Sequence, residues 1–122
     1  MTTNATLAAI GKGRLITLRI LSGLVALAFL AAGGSKLAGV TAMVEMFDKV
    51  GLGQWFRYLT GLLEVTGAIG LLIPRYAFYA AILLALVMVG AIIAHLTVLG
   101  TSPAAPIVLL ALSGTVAYLR KR

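Results

Sequence analysis

The chain has 122 residues, of which 61% are hydrophobic and 11% charged, and its mean hydropathy is +1.10. A soluble domain carries about 25% charged residues, and here the apolar residues come in long runs, so an ordinary soluble domain is excluded and an integral membrane protein is expected. The net charge of +7 is no nucleic-acid signal, because the bases sit at the ends of the apolar runs, as they do beside membrane helices; the absence of cysteine excludes thiol–disulfide chemistry, c-type haem attachment and Cys-ligated metals.

Residues 1–13 are Thr/Ala-rich and patternless, the composition of a flexible tail. Residues 14–122 read as a single four-span domain. Lys12, Arg14 and Arg19 lead into the first span, residues 15–34, whose length of about 20 residues matches a ~30 Å hydrocarbon core. A secretory signal peptide is the rival reading, since a basic flank, an apolar stretch and Ala31–Ala32–Gly33 fit one loosely. Three further spans follow, so a retained helix explains the run better. Its stripe Ser22, Ala26, Phe29, Gly33, Lys36 has the 4-3-4-3 spacing of a bundle seam and ends on a lysine.

Residues 36–57 form the longest connection and hold Glu45 and Asp48. Ala42, Met43, Met46, Phe47 and Val50 recur there at helical spacing, opposite Glu45, Asp48 and Lys49. That pattern predicts a short amphipathic helix lying in the membrane interface, or else a contact surface for another subunit. Gly51 and Gly53 end it, and Trp55, Phe56 and Tyr58 read as aromatic anchors with Arg57 among them. The second span, residues 58–73, contains one carboxylate, Glu64. Thr60, Gly61, Gly67, Ala68 and Leu71 share its side; Leu62, Val65, Ile69, Leu72 and Ile73 form the opposite, branched apolar side. Small residues admit a neighbouring helix and branched ones suit lipid, so Glu64 is expected to point into the bundle. Pro74–Arg75 make a tight turn into the third span, residues 76–99, whose seam Leu84, Met88, Ala91, His95 again has 4-3-4 spacing. An uncharged turn leads to the fourth span, residues 104–119, with Pro106 tolerated in its first turn and Arg120–Lys121–Arg122 behind it. The second and fourth spans are short and must use their flanks or thin the bilayer.

Lys12, Arg14, Arg19, Arg75 and the three C-terminal bases fall on one side of this topology, against Lys36, Lys49 and Arg57 on the other. The excess of bases predicts cytoplasmic termini. Glu64 then lies seven residues inward from Arg57, roughly 10 Å, and His95 four residues from Leu99, roughly 6 Å. With Lys36 at the end of the first span, all three titratable groups belong to the outer half of the membrane. They are expected to form a polar cluster, with Ser35, Thr60 and Thr97 at its margin.

Two readings of the cluster stay open. In one, Lys36 neutralises Glu64 and His95 completes the hydrogen bonding, an interhelical lock. In the other, it is a small site open to the outer face, where Glu64 and His95 pass a proton or hold a headgroup, a quinone carbonyl or a small solute. Met43, Met46 and Met88 read as packing residues, and a lone histidine is a poor metal site. No nucleotide-binding loop, nucleophile–base pair or facing haem histidines are present in the sequence.

The segments FLAAGGSKLAG (29–39) and GLLEVTGAIGLLIP (61–74), followed by the His95-bearing third span, resemble the DoxX-like family of small four-helix bacterial membrane proteins. Lys36 and Glu64 match the family pattern directly, His95 less closely. The resemblance implies a multi-pass protein of the bacterial cytoplasmic (inner) membrane, near quinone-linked sulfur oxidation or complexes that handle oxidative stress, although the missing cysteines separate it from thiol-handling relatives. The expectation is an all-α four-helix transmembrane bundle with an interfacial helix in the first outer loop. Its expected role is that of a non-catalytic subunit anchoring or supporting a redox complex; the alternative is a carrier or binder of protons or a small amphipathic molecule, and a self-sufficient quinone reductase ranks below both. No resident cofactor is assigned, a quinone being the one ligand left open. The expected partners are the lipid bilayer, a membrane or peripheral redox protein, and further copies of the chain.

Overall fold

The computed structural model describes residues 4–121, and these are all helical apart from short connections. α1 spans Asn4–Ala38, α2 Thr41–Val50, α3 Gln54–Leu71, α4 Ala77–Ala94 and α5 Ala104–Arg120; a π-helical turn, His95–Leu99, continues α4. α1 and α4 each pack against both α3 and α5, so the four long helices close a ring. Neighbours run antiparallel: Gly33 meets Gly61 where Gly39 meets Arg57, and Gly67 meets Leu84 where Gly70 meets Ala80.

The seams read from the sequence are the faces that are buried. On α1 these are Ser22, Ala26, Phe29 and Gly33, with Leu18 and Val25 extending the stripe. On α3 they are Gly61, Glu64, Gly67, Ala68 and Leu71, and the same 4-3-4-3 spacing carries the seam one turn further back, to Arg57. α4 buries Ala77, Ala80, Ala81, Leu84 and Met88, while Ala91 and His95, the other half of its expected seam, are only half-buried. In lipid there is little hydrophobic drive between helices, so close packing has to hold them together. The tightest approach is between α1 and α3. A Cβ on Gly33 would stand 2.9 Å from the Gly61 carbonyl oxygen, and one on Gly61 would stand 3.0 Å from the Gly33 carbonyl oxygen. Only two glycines let these backbones touch.

Outward faces are apolar in turn. Leu24, Leu27, Leu62, Ile69, Leu86, Leu96 and Val108 are all half or more exposed. Soluble monomers rarely show contiguous apolar surface on this scale. Hydroxyls close their bonds within the helix: Thr17, Thr60, Thr97, Ser113 and Thr115 each donate to the carbonyl four residues back. That is how a polar side chain is tolerated in apolar surroundings. Two stretches are long and apolar enough to cross a membrane, Gly11–Ala38 and Ala77–Leu99; α5 is apolar but shorter.

Three expectations change. The loose tail expected over residues 1–13 is helical from Asn4 onward, Met1–Thr3 lying outside the described residues. The third helix does not run uniformly to Leu99 but widens into the π-helical turn from His95. The apolar face of α2, expected to lie on lipid, turns into the molecule: Phe47 is buried and its ring packs 5.9 Å from that of Phe56. The reason is at its ends. Gly51 caps α2 in the left-handed region, its N–H bonding Phe47 O, and Gln54 Nε2 then donates to Val44 O and to Asp48 Oδ1, both at 3.0 Å. The helix is thereby folded back over the end of the bundle.

Adding a methyl at the α1–α3 crossing should therefore be costly. Gly33→Ala and Gly61→Ala are each expected to destabilise the protein by about 1–3 kcal/mol. Gly114→Ala, where a Cβ meets nothing within 4 Å, is expected to be neutral or slightly stabilising. Reversible unfolding in mixed micelles measures all three.

Candidate functional site

The site is assembled by the glycine crossing. Because α1 and α3 cross at Gly33 and Gly61, Lys36, level with Gly61, reaches diagonally over the crossing to Glu64, level with Gly33. Lys36 Nζ stands 2.7 Å from Glu64 Oε1, with side chains 14% and 1% exposed. The contact is a short ion pair at Oε1, and Oε2 has no donor among the described residues. Glu64 is thus neutralised by one neighbour but not saturated.

The pair lies on the wall of a cavity of about 400 Å³ beneath α2. Every helix contributes to that wall: Ala32 from α1, Met43, Met46, Phe47 and Val50 from α2, Phe56, Leu59 and Leu63 from α3, Met88 and Ala91 from α4, and Pro106 and Leu109 from α5. Its polar members are Lys36, Thr60, Glu64 and His95. An apolar chamber with a few convergent polar groups is the usual form of a small-molecule site, and its volume falls within the range of about 300–1,000 Å³ such sites occupy.

The three sequence-predicted residues thus share one cavity, but they do not form one hydrogen-bonded cluster. His95 Nδ1 pairs with Thr101 Oγ1 at 2.7 Å, across the π-helical turn, and not with Glu64. Of the expected marginal hydroxyls, Thr60 lines the cavity, whereas Ser35 donates to Ala32 O and Thr97 to Ile93 O away from its lining. The π-helical turn is a feature the sequence reading missed; single turns of this kind are frequent at functional sites.

Arg57, which the sequence places among the aromatic anchors at the interface, is buried, at 5% exposure. Its Nη1 donates to the carbonyl of Lys36 at the end of α1, its Nε to Gln54 Oε1 at 2.6 Å, and its guanidinium stacks 4.3 Å from the Tyr58 ring centroid. The last carbonyls of a helix need donors, and a cation there also suits the helix dipole. Arg57 therefore fixes the end of α1 that carries Lys36, while Gln54 bonds both Arg57 and α2. The signal was present in the sequence: Arg57 stands seven residues before Glu64, on the same helical seam.

A buried ion pair broken on one side costs about 3–5 kcal/mol, whereas replacing both charges with neutral groups of similar shape costs far less. Lys36→Met alone is therefore expected to destabilise strongly, and Lys36→Met with Glu64→Gln to recover most of the loss. A double-mutant cycle read by unfolding in micelles checks this; additive losses would show that the two charges do not depend on each other.

Among curated proteins and among solved structures there is no match to the chain. The model of the DoxX-like family matches residues 20–116, a stretch that begins within α1, ends within α5 and contains Lys36, Glu64 and His95. Together with the two helices apolar enough to cross a bilayer, this makes the chain a helical membrane protein, and by that match over most of its length it belongs to the DoxX-like family.

Proposed function

We propose that this protein is a binder of a small amphipathic molecule, which it holds in the cavity under α2 with the polar end of the ligand against Lys36, Glu64 and His95. The single observation that carries this reading is the chamber of about 400 Å³ in which apolar walls converge on an under-bonded buried carboxylate. A quinone or its quinol is the ligand class that also agrees with the family resemblance. Lys36 and His95 supply donors for a carbonyl oxygen, and Glu64 supplies an acceptor for a hydroxyl. The same pair of groups lets a proton be handed on when the ligand exchanges one with Glu64. In a redox membrane complex the chain would serve as the subunit that keeps such a ligand, without carrying the redox chemistry itself.

The proposal places four helices, α1, α3, α4 and α5, across the bacterial cytoplasmic membrane with both termini inside. The short, charged α3 is admissible because Arg57 and Glu64 turn inward, away from lipid. The cavity then opens toward the outer leaflet, with α2 over it at the interface.

Two measurements test this. A short-chain ubiquinone and its quinol are titrated into the purified protein alone while the melting temperature is followed. A ligand that binds only the folded state stabilises it by about 2.7 kcal/mol at a hundredfold excess over Kd, so a clear rise is expected. The quinol, whose hydroxyl can donate to Glu64, is expected to give the larger rise, and Glu64→Gln should remove that difference. No response to either form, together with co-purification of a redox partner, would leave the supporting-subunit role in place of the binder. For topology, the chain has no native cysteine, so single replacements report cleanly: Lys49→Cys in spheroplasts is expected to react with an impermeant maleimide, and Lys121→Cys only after the membrane is opened. The reverse pattern would invert the orientation.

A further inference from the structure

The cavity under α2 is open on one flank, between α3 and α4. Near their connecting turn these helices touch: a Cβ on Gly70 would stand 2.8 Å from the Cβ of Ala80, and one on Gly67 would stand 2.6 Å from Leu84. Counting away from the Gly70–Ala80 contact along the antiparallel pair brings Val87 level with Leu63 and Gly90 level with Thr60. All four of these residues line the cavity. Gly90 is exposed, and a Cβ added to it would meet nothing within 4 Å. Leu59, another lining residue, is 40% exposed. The cavity therefore reaches the outer surface of the bundle beside Gly90.

A groove runs on from that opening. On α3 Leu59, Leu63, Thr66 and Gly70 recur at 4-3-4 spacing, and on α4 Ala80, Leu83, Val87 and Gly90 recur at 3-4-3 spacing, so each set lies along one stripe of its helix. The members nearer α2 line the cavity; those nearer the turn line a second, shallower hollow that continues to Tyr76 and Tyr79. The two hollows are consecutive stretches of one α3–α4 seam. From Leu63 to Ile73 the seam is roughly 15 Å long, at 1.5 Å per residue. Its rim is apolar and outward-facing, with Ile69 and Tyr79 half or more exposed. In a helical membrane protein such a rim meets acyl chains, and an opening onto hydrocarbon admits an apolar chain far more readily than a hydrated solute. The charged pair lies at the inner head of the seam and an apolar track trails from it.

We propose that the opening between Thr60 and Gly90 is a lateral portal onto the bilayer, and that the ligand is a lipid-soluble molecule whose polar head sits at Glu64 while its long hydrocarbon tail leaves through the portal and lies in the α3–α4 groove. This inference rests on reading the cavity as a binding site, and it makes the tail part of what is recognised.

Two experiments test it, the first without any ligand. The chain has no native cysteine, so Thr60→Cys places a single thiol in the cavity wall. In proteoliposomes that thiol is expected to react with a membrane-dissolved N-alkylmaleimide and to resist a charged, impermeant maleimide supplied on both sides. Adding Gly90→Leu should slow the alkylation severalfold; adding Gly114→Leu, where a Cβ also meets nothing within 4 Å, should not. Faster reaction with the charged reagent, reaction with neither, or equal slowing by Gly114→Leu would overturn the portal. In the second experiment decylubiquinone and its tail-less dimethoxy-methyl-benzoquinone head are titrated in one fixed detergent while the melting temperature is followed. Decylubiquinone is expected to bind roughly tenfold or more tightly than the head, since about two buried methylenes suffice for that. Gly90→Leu and the exposed Thr66→Phe should each remove the margin and keep the response to the head. Equal binding of both compounds by the wild type would overturn the role of the tail, and so would a margin that survives both variants. A change of oligomeric state in Gly90→Leu, with the margin intact, would overturn it too and make the seam a contact between copies. Alkylation through the portal with no response to either compound would instead remove the quinone from the proposed function and leave the portal established.

Discussion

A carboxylate cannot stay charged among apolar helices without a cation within reach. Lys36 can serve Glu64 only because the backbones of α1 and α3 touch. The touching is done by Gly33 and Gly61, one turn before each charged residue, and a methyl on either would stand about 3 Å from the opposing carbonyl oxygen, so the helices would have to shift. Burial of the pair then makes a second demand. α1 ends near Lys36, its final carbonyls have no helical partners, and water is scarce. Arg57 supplies the donor, and Gln54 joins it to α2. Lys36 on α1 and Arg57 and Glu64 on α3 thus depend on one crossing between two glycines.

The cavity follows from the same arrangement. Where α1 and α3 close on each other, the other side of the bundle end is lined by small residues: Ala32, Gly90, Ala91, Ala94 and Ala105. Helices carrying such residues leave space that side chains do not fill. α2 roofs it with Met43, Met46, Phe47 and Val50, a flexible and polarisable set in which methionine adapts to irregular volumes. The roof is held by Gln54 and by the packing of Phe47 on Phe56, not by the crossing itself.

The two ends of the molecule differ in chemistry because charge is sorted along it. The three acids and the cavity occupy one end; Arg14, Arg19, Arg75, Arg120 and Lys121 occupy the other. Only one of the acids is deeply buried, and it has a lysine. Among the described residues the basic end shows no such pairing and ties α1 to α5 through backbone and hydroxyl acceptors. An antiparallel ring with short connections produces this separation, since each helical hairpin returns its charged flank to the side from which it came.

Much of this was legible in the chain itself. Spacing of 4-3-4-3 along Ser22–Lys36 and along Leu84–His95 identified the buried faces, because a helix in a bundle presents one stripe and composition marks it. The common depth of Lys36, Glu64 and His95 followed from counting residues along helices of constant rise. What required the tertiary structure was every relation set by more than one helix. His95 reaches the same cavity as Glu64 yet bonds Thr101, because a π-helical turn and the loop behind it settle where its ring points. Arg57 caps α1 and is buried, because the end of α1 arrives beside it. The amphipathic face of α2 has the same pattern whether it lies on lipid or on protein; only the fold-back at Gly51 and Gln54 decided that it covers a chamber. Periodicity reports that a face is buried, and the partner that buries it is a matter of how the helices pack.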